Sequence, residues 1–316
     1  MKKRLFAGLL ATMMVSFMMV TTAFATGPDE LEVGPHPGQP MQVKEVSLTQ
    51  QSYDAIIDNM VQEHIQNYEL TEEDYLKAQE ILGLYDDTIM NVQGEATVAS
   101  SFDDNWVKLR YGNLIELTLD LNEGISETVV LSCTNISRDA EDVARNNFSD
   151  NQDSAQHFIW NFMMTDEQDK MTARTVAINH EWGISMITPM LNCYEDAYNK
   201  YIGKGYSENS ASNKAIAETI TYIPEFKYDA VCIMEKSYEF FEKFFTNDCI
   251  MDLWNNCYGR AYPEKGYTDE VKAFKESAFV KKELILDGKN SMAENVTTTH
   301  KKHVWSTDWY SYGKDA

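Results

Sequence analysis

The N-terminal segment most limits what this chain can fold into, because it predicts export and therefore where folding takes place. Three basic residues at positions 2–4 precede a largely apolar run of 16 residues, Leu5–Val20, and Ala23-Phe24-Ala25 is the small-x-small pattern that signal peptidases accept. The run is shorter than the roughly 20 residues of a membrane-spanning helix. Residues 1–25 are therefore predicted to be a cleaved signal peptide of an exported bacterial protein, which places the mature chain in a secreted or extracytoplasmic setting.

The net charge limits the classes of partner that this chain is expected to bind. The chain has 27 basic and 50 acidic residues, a net charge of −23, and loss of the signal makes the mature part more negative by three. Such a field repels nucleic acid and anionic lipid surfaces, and it attracts cations, including divalent metals. No further stretch is long and apolar enough to span a membrane, so no integral membrane segment is expected after signal cleavage.

The five cysteines do not form a recognisable framework. Their number is odd and no CxxC spacing occurs, so neither a disulfide scaffold nor a zinc knuckle is indicated. Cys249 and Cys257 lie eight residues apart in a helical stretch, about 12 Å along the axis, which is too far for a disulfide. Most of the cysteines are expected to be small buried residues, and the pairing of any single disulfide stays open.

Apolar residues recur every three or four positions over most of the chain, which predicts a mainly α, multi-helix, bundle-like domain. Four of the seven prolines fall before residue 47, in a stretch typical of a linker. The predicted organisation is a signal peptide (1–25), a flexible linker (26–46), an N-terminal helical and hairpin region (47–136), a helical core domain with the candidate site (137–290) and a polar aromatic tail (291–316).

Some local patterns predict departures from plain helix. Apolar and polar residues alternate over 115–121, and Asn122-Glu123-Gly124 could turn the chain, so a short β-hairpin around 115–132 is one of two interpretations. Ser137 is then expected to begin a helix that runs to Phe148. Further helices are expected over 210–220, 228–260 and 269–286, with a loop near Pro224.

Three stretches of the second half combine His, carboxylate and amide side chains with large aromatics. Asp153, His157 and Asn161 are spaced i, i+4, i+8 and share one helical face. His180-Glu181 opens like the zinc motif HExxH, although position 184 is Ile. Met251-Asp252 is followed by Asn255-Asn256 and by Gly259-Arg260, and the polar members of this stretch lie along one helical face. Burial of so many polar groups requires that they bind one another or a ligand.

Taken together, these stretches resemble one largely uncharacterised family of bacterial domains found in secreted and toxin-like chains. Its members share a D-A-x-R-H-x-x-W-N helix, an A-H-E helix and an M-D-x-x-N-N-x-x-G-R helix, in this order. The resemblance covers roughly residues 140–262 and implies a helical fold in an extracytoplasmic setting, without an established reaction. Gln156 stands where the family has Arg, and Asn179 where it has Ala, so an anion-binding role for position 156 does not carry over.

The leading functional hypothesis is a metal-assisted hydrolase. His157 and His180 are predicted to bind a divalent metal, zinc as the first choice, with Asp252 or Asp153 as the third ligand and one position open for water. Glu181 is the predicted general base. Asn255 and Asn256 are predicted to polarise the substrate or to orient Asp252. A metal-free variant uses His157 as the base, oriented by Asp153. The substrate can be a small molecule, peptide, lipid or glycan, and the sequence does not decide among them.

The alternative is a secreted, non-catalytic binding or structural domain in which the same motifs form a buried hydrogen-bonded network. Geometry separates the two hypotheses. The enzyme hypothesis requires the ring nitrogens of His157 and His180 to lie within about 5 Å of each other and of a carboxylate, facing a pocket. It also requires the three motif helices to pack together, with Asp252 within about 12 Å of the histidines.

Overall fold

The computed structural model describes residues 48–86, 112–287, 295–307 and Trp309. The predicted signal peptide (1–25) and linker (26–46) lie outside this part of the chain. Within it there are twelve α-helices and no strand, which confirms the mainly α class. The helices are α1 Gln50–Asn67, α2 Glu72–Leu84, α3 Asn113–Asn122, α4 Glu127–Asn147, α5 Gln152–Glu167, α6 Lys170–Ser185, α7 Ile187–Gly203, α8 Glu208–Met234, α9 Tyr238–Phe244, α10 Asn247–Glu264, α11 Glu270–Lys275 and α12 Thr298–Thr307; a π-helix, Glu276–Lys281, follows α11.

The prediction of a hairpin around 115–132 is wrong, because this stretch forms helix α3 and the start of α4. Helix α3 is buried on most of its circumference, so apolar residues occupy neighbouring faces and imitate the alternation of a strand over a few residues. Gly124 (φ 87°) lies just beyond the end of α3 in the left-handed conformation that glycine tolerates. Ser126 rather than Ser137 is the N-cap of α4, so the predicted division at 136/137 falls inside one helix.

Other helix boundaries also differ from the predictions. Pro224 lies inside α8, where burial of Tyr222, Ile223 and Phe226 around it outweighs the one backbone hydrogen bond that proline removes. The expected helix over 228–260 is three helices, because Ser237 and Thr246 each cap a new start. The expected helix over 269–286 stops at the end of the π-helix, and residues 283–287 run on without helical structure.

One hydrophobic core joins these helices. Helices α1 and α2, which belong to the predicted N-terminal helical and hairpin region, pack on α7 and α8 respectively. No helix of the described residues is long and apolar enough to cross a membrane. All five cysteines lie in this part of the chain as free thiols, three of them buried, as expected for small apolar residues.

Helices α5 and α10, which carry two of the three motifs, make the most extensive contact between any two of the described helices. Gly259 makes this approach possible: a Cβ atom built there would lie 2.3 Å from the carbonyl oxygen of Phe158 and 3.0 Å from Cβ of Asn161. The glycine of the third motif is therefore required by packing, since it brings the polar faces of the two helices together.

Candidate functional site

The site lies where α5, α6 and α10 meet. Helix α5 supplies Asp153 and His157, α6 supplies His180 and Glu181, and α10 supplies Asp252. Each pair of these helices is in contact, which confirms the predicted assembly of the three motif helices. The spacing i, i+4 on α5 places both of its side chains on the face that meets the other two helices.

His157 is the centre of the cluster. Its Nε2 atom lies 3.8 Å from a carboxylate oxygen of Asp153 and 3.7 Å from one of Asp252, while its Nδ1 atom lies 3.8 Å from Glu181 Oε1. These distances are too long for hydrogen bonds. They are short enough for two atoms that each bind a shared cation at about 2.1 Å, because such atoms can be up to about 4.2 Å apart.

Several buried polar atoms of this cluster have no hydrogen-bond partner among the described residues. They are His157 Nδ1, both carboxylate oxygens of Glu181, Asp252 Oδ1 and Asn256 Nδ2. The thiol of Cys249, a weak donor, lies beside the Glu181 carboxylate. Because each unsatisfied buried polar group costs about 1–3 kcal/mol, such a concentration at one place indicates a ligand that satisfies it.

Two sets of potential metal ligands share His157. One set is Asp153, His157 and Asp252, and the other is His157, His180 and Glu181; within each set the ligand atoms lie within 4.8 Å of one another. The second set confirms that a ring nitrogen of each histidine and a carboxylate oxygen of Glu181 lie within about 5 Å of one another. The sequence hypothesis combined His157, His180 and Asp252, whereas the structure groups Asp252 with Asp153 in one set and His180 with Glu181 in the other.

His180 has a partner of its own. Its Nδ1 atom lies 3.0 Å from Glu116 Oε2 of α3. Burial alone would lower the pKa of His180, but the carboxylates of Glu116, Glu181 and Asp153 raise it to about 9. A protonated imidazole has no lone pair to offer a metal, so His180 is a less suitable ligand than His157.

The electrostatics of the other groups follow from burial. Burial lowers the pKa of His157 to about 3, with the charge of His180 acting in the same direction, so His157 is neutral and able to bind a metal. Burial, with neighbouring acidic residues, raises the pKa of Asp153 to about 6 and that of Asp252 well above its ordinary value. Burial also raises the pKa of Glu181 to about 7. A cation bound among these carboxyl groups would lower their pKa values again, because it favours the charged form.

The two asparagines of α10 have different surroundings. Asn255 uses both polar atoms on the backbone of Ile285: Nδ2 donates to the carbonyl oxygen (2.8 Å), and Oδ1 accepts from the amide (3.1 Å). Both polar atoms of Asn255 thus bind the backbone of Ile285, which does not support its predicted role in polarising the substrate or orienting Asp252. Asn256 does lie at the site, where its amide faces His157 and its Oδ1 accepts a hydrogen bond from Asn161 (2.6 Å).

Sequence reasoning missed two residues that shape the site. Glu116 was assigned to a possible strand and pairs with His180. Asp287 accepts hydrogen bonds from the backbone amides of Asp153 (3.4 Å) and Ser154 (3.2 Å), and so caps the first turn of α5 from more than 130 residues away. The spacing of residues within one helix carries no signal for contacts of this kind.

The expected pocket is not a large cleft. Two cavities of about 320 and 350 Å³ lie elsewhere, the first against α1 and α7 and the second at residues 207–209, and neither is lined by a site residue. The cluster is nearly closed, with Glu181 fully buried, and the Asp153 side chain (44% exposed) connects it to solvent. Its size and access suit an ion with bound water.

The His180–Glu116 pair predicts a pH dependence. The pKa of His180 is raised in the folded state, so the stabilisation by Glu116 is complete below about pH 6.5 and is lost as the pH rises toward 9. We expect Glu116→Gln to lower the melting temperature of the metal-free protein near pH 6, and the difference from wild type to shrink near pH 9. Glu167→Gln, an exposed change on α5, is the control. A difference that is independent of pH would contradict this pairing.

Comparisons with known proteins give no independent assignment. No protein-family model, no curated protein and no solved structure matches this chain. Function is therefore argued from the geometry of the cluster.

Proposed function

We propose that this chain is a metal-dependent hydrolase that acts outside the cytoplasm on an envelope or extracellular substrate. A divalent cation is held by Asp153, by Nε2 of His157 and by Asp252. The observation that carries the proposal is the convergence of these three ligand atoms within 4.8 Å of one another, with Nε2–oxygen distances of 3.7 and 3.8 Å that a shared cation can bridge.

This ligand set modifies the one predicted from sequence. Both predicted carboxylates, Asp153 and Asp252, are ligands and His180 is not, because His180 falls in the set with Glu181 and is paired with Glu116. Metal-binding histidines usually present their second ring nitrogen to a carboxylate that fixes the tautomer. Glu181 lies on that side of His157, at 3.8 Å from Nδ1, and is suited to this role. Its complete burial is less suited to a general base that must reach a water molecule.

The chemistry follows from the open side of the cluster. Because the Asp153 side chain is partly exposed to solvent, a cation held there would be accessible to water, and a divalent metal would supply an activated water by lowering its pKa toward 7. One imidazole and two carboxylates suit zinc, and they also suit manganese or iron. The strong negative charge disfavours nucleic-acid substrates, so peptide, lipid and glycan bonds are the candidate classes.

Elemental analysis of the mature protein, purified without chelators, tests the proposal. We expect about one divalent metal ion per chain, removal by a chelator, and hydrolysis of at least one substrate in peptide, lipid and glycan panels that returns when metal is restored. Asp166→Asn, an exposed change on α5, is the control and should keep the metal. Absence of metal after dialysis against zinc, manganese and iron would overturn the metal site; bound metal without hydrolysis would overturn only the reaction.

The non-catalytic alternative is supported by one observation. Part of the motif set forms a closed network in which Asn161 donates to Asn256 and accepts from Arg260 (2.8 Å). Together with Asn255 on Ile285, this network has the organisation of a structural element that fixes α5 against α10. A secreted binding or structural domain would retain this network and would show no hydrolysis in the same panels with metal present.

A further inference from the structure

A second buried polar cluster includes one residue of α6 and lies next to the candidate site. It consists of Lys227 from α8, Asn179 from α6, and Asp120 and Glu123 from α3 and its C-terminal end. Lys227 and Asn179 are completely buried and Asp120 is 1% exposed. None of these four residues belongs to the proposed metal ligands, so the chemistry of this cluster does not depend on the proposed function.

Each polar group of this cluster contacts the next. Lys227 Nζ donates to Asn179 Oδ1 and to Glu123 Oε1, both at 2.5 Å. Asn179 Nδ2 donates to Asp120 Oδ1 at 2.8 Å and lies 3.4 Å from Glu123 Oε2. The ring of Trp182 lies 5.7 Å from Lys227 Nζ and separates it from solvent on that side. A primary amine, a carboxamide and two carboxyl groups are therefore held together in a dry environment.

We propose that Lys227 and Asn179 form an intramolecular isopeptide bond that covalently joins α8 to α6. The reacting atoms are close: because a carbonyl bond is about 1.23 Å long, Asn179 Cγ lies within about 3.7 Å of Lys227 Nζ. Rotation about the Cα–Cβ bond of Asn179, or about the bonds of the lysine stem, can bring Cγ and the amine closer still. Positioning of this kind replaces an encounter between two molecules and removes a large part of the barrier.

The reaction needs no oxidant or cofactor. Glu123 takes one proton from the Lys227 ammonium, and the neutral amine attacks Asn179 Cγ. A bond between Nζ and Cγ forms, the bond between Cγ and Nδ2 breaks, and Nδ2 leaves as ammonia after it takes a proton from the Asp120 carboxyl and keeps its own two. The attacking nitrogen of Lys227 then loses a second proton, which passes to the pair of carboxyl groups formed by Asp120 and Glu123. The products are a secondary amide and one molecule of ammonia.

The surroundings favour these protonation states. Burial lowers the pKa of Lys227, although Glu123 opposes the effect, and this increases the fraction of nucleophilic amine. Burial and the nearby charge of Glu116 raise the pKa of Asp120 well above its ordinary value, so its carboxyl holds the proton that the leaving nitrogen needs. Exclusion of water also prevents hydrolysis of the bond once it has formed.

The chain contains a second lysine that serves as an internal comparison. Lys200 Nζ donates to the buried carboxylate of Glu218 (2.7 Å) and to the carbonyl oxygen of Tyr68. No carboxamide side chain is among these partners, so Lys200 illustrates a lysine–glutamate pair that has nothing to condense with. Lys200→Arg is therefore the matched control for Lys227→Arg.

The mass of the purified full-length mature protein tests the proposal. We expect an intact mass about 17 Da below that of the sequence with the same N-terminus, because one ammonia is lost. A tryptic digest should give a branched peptide that links residues 179 and 227, with no cleavage after Lys227. Lys227→Arg should restore the full mass, whereas Lys200→Arg should keep the deficit.

The digest of the wild-type protein makes the test independent of how the variants fold. Full sequence mass, together with a linear tryptic peptide that ends at Lys227, would overturn the proposal. A deficit of about 17 Da that persists in Lys227→Arg, or that maps to the N-terminal peptide, would overturn it as well, because ammonia would then have been lost elsewhere.

Discussion

Asp252→Asn is expected to abolish metal binding at the cluster and to lower hydrolytic activity by at least about a hundredfold. This loss is larger than the 10–100-fold loss expected when a residue that only contacts a metal ligand is changed. The same change should leave the metal-free protein as stable as wild type or more stable. The reason is that Asp252 is a buried carboxylate with a raised pKa and an unpartnered Oδ1 atom, and an uncharged amide is easier to bury. Thermal melts with and without metal, beside activity assays, measure both effects.

Glu181→Gln is the companion variant, because it separates two roles of this residue. If Glu181 orients His157, metal affinity falls by about 10–100-fold and activity returns at high metal concentration. If Glu181 is the general base predicted from sequence, metal affinity is kept and activity falls by about a hundredfold or more at every metal concentration.

For the Asp252→Asn variant, a melting temperature that still rises when metal is added would remove Asp252 from the ligand set.

Gly259→Ala is expected to destabilise the fold by about 3 kcal/mol or more, at the upper end for overpacked sites. The added methyl group would lie 2.3 Å from the backbone oxygen of Phe158, and a helix backbone cannot move aside as a flexible side chain can. Helices α5 and α10 must then separate, which moves Asp252 away from His157. Chemical denaturation measures the loss in the free energy of unfolding.

Gly83→Ala is the matched control, because Gly83 lies within α2 and a Cβ atom there meets nothing within 4 Å. Alanine has the higher helix propensity, so this change should stabilise the protein by up to about 1 kcal/mol. The two glycine-to-alanine changes thus have opposite expected signs. A Gly259→Ala protein as stable as wild type would show that α5 and α10 do not need this close contact.

Sequence patterns predicted the parts of the site that lie within single helices. The spacing of Asp153 and His157 correctly placed both on one face of α5, and the polar stripe of α10 correctly included Asp252 and Asn256. The spacing could not show which of Asn255 and Asn256 lies at the site, because both are about one helical turn from Asp252. Only the position of residues 283–287 shows that Asn255 binds the backbone of Ile285.

The helical class and the polar helix faces could be predicted without a structure, because the helical period is a pattern of nearby residues. The charge that disfavours nucleic acid follows from composition alone. The remaining features depend on how the helices pack. Tertiary structure made 115–132 helical, because burial on most sides of α3 hides the period that distinguishes helix from strand. Helix packing also paired Glu116 with His180 and Lys227 with Asn179. Contacts between distant helices depend on how their faces pack, and the periodicity of a single sequence carries no signal for such contacts.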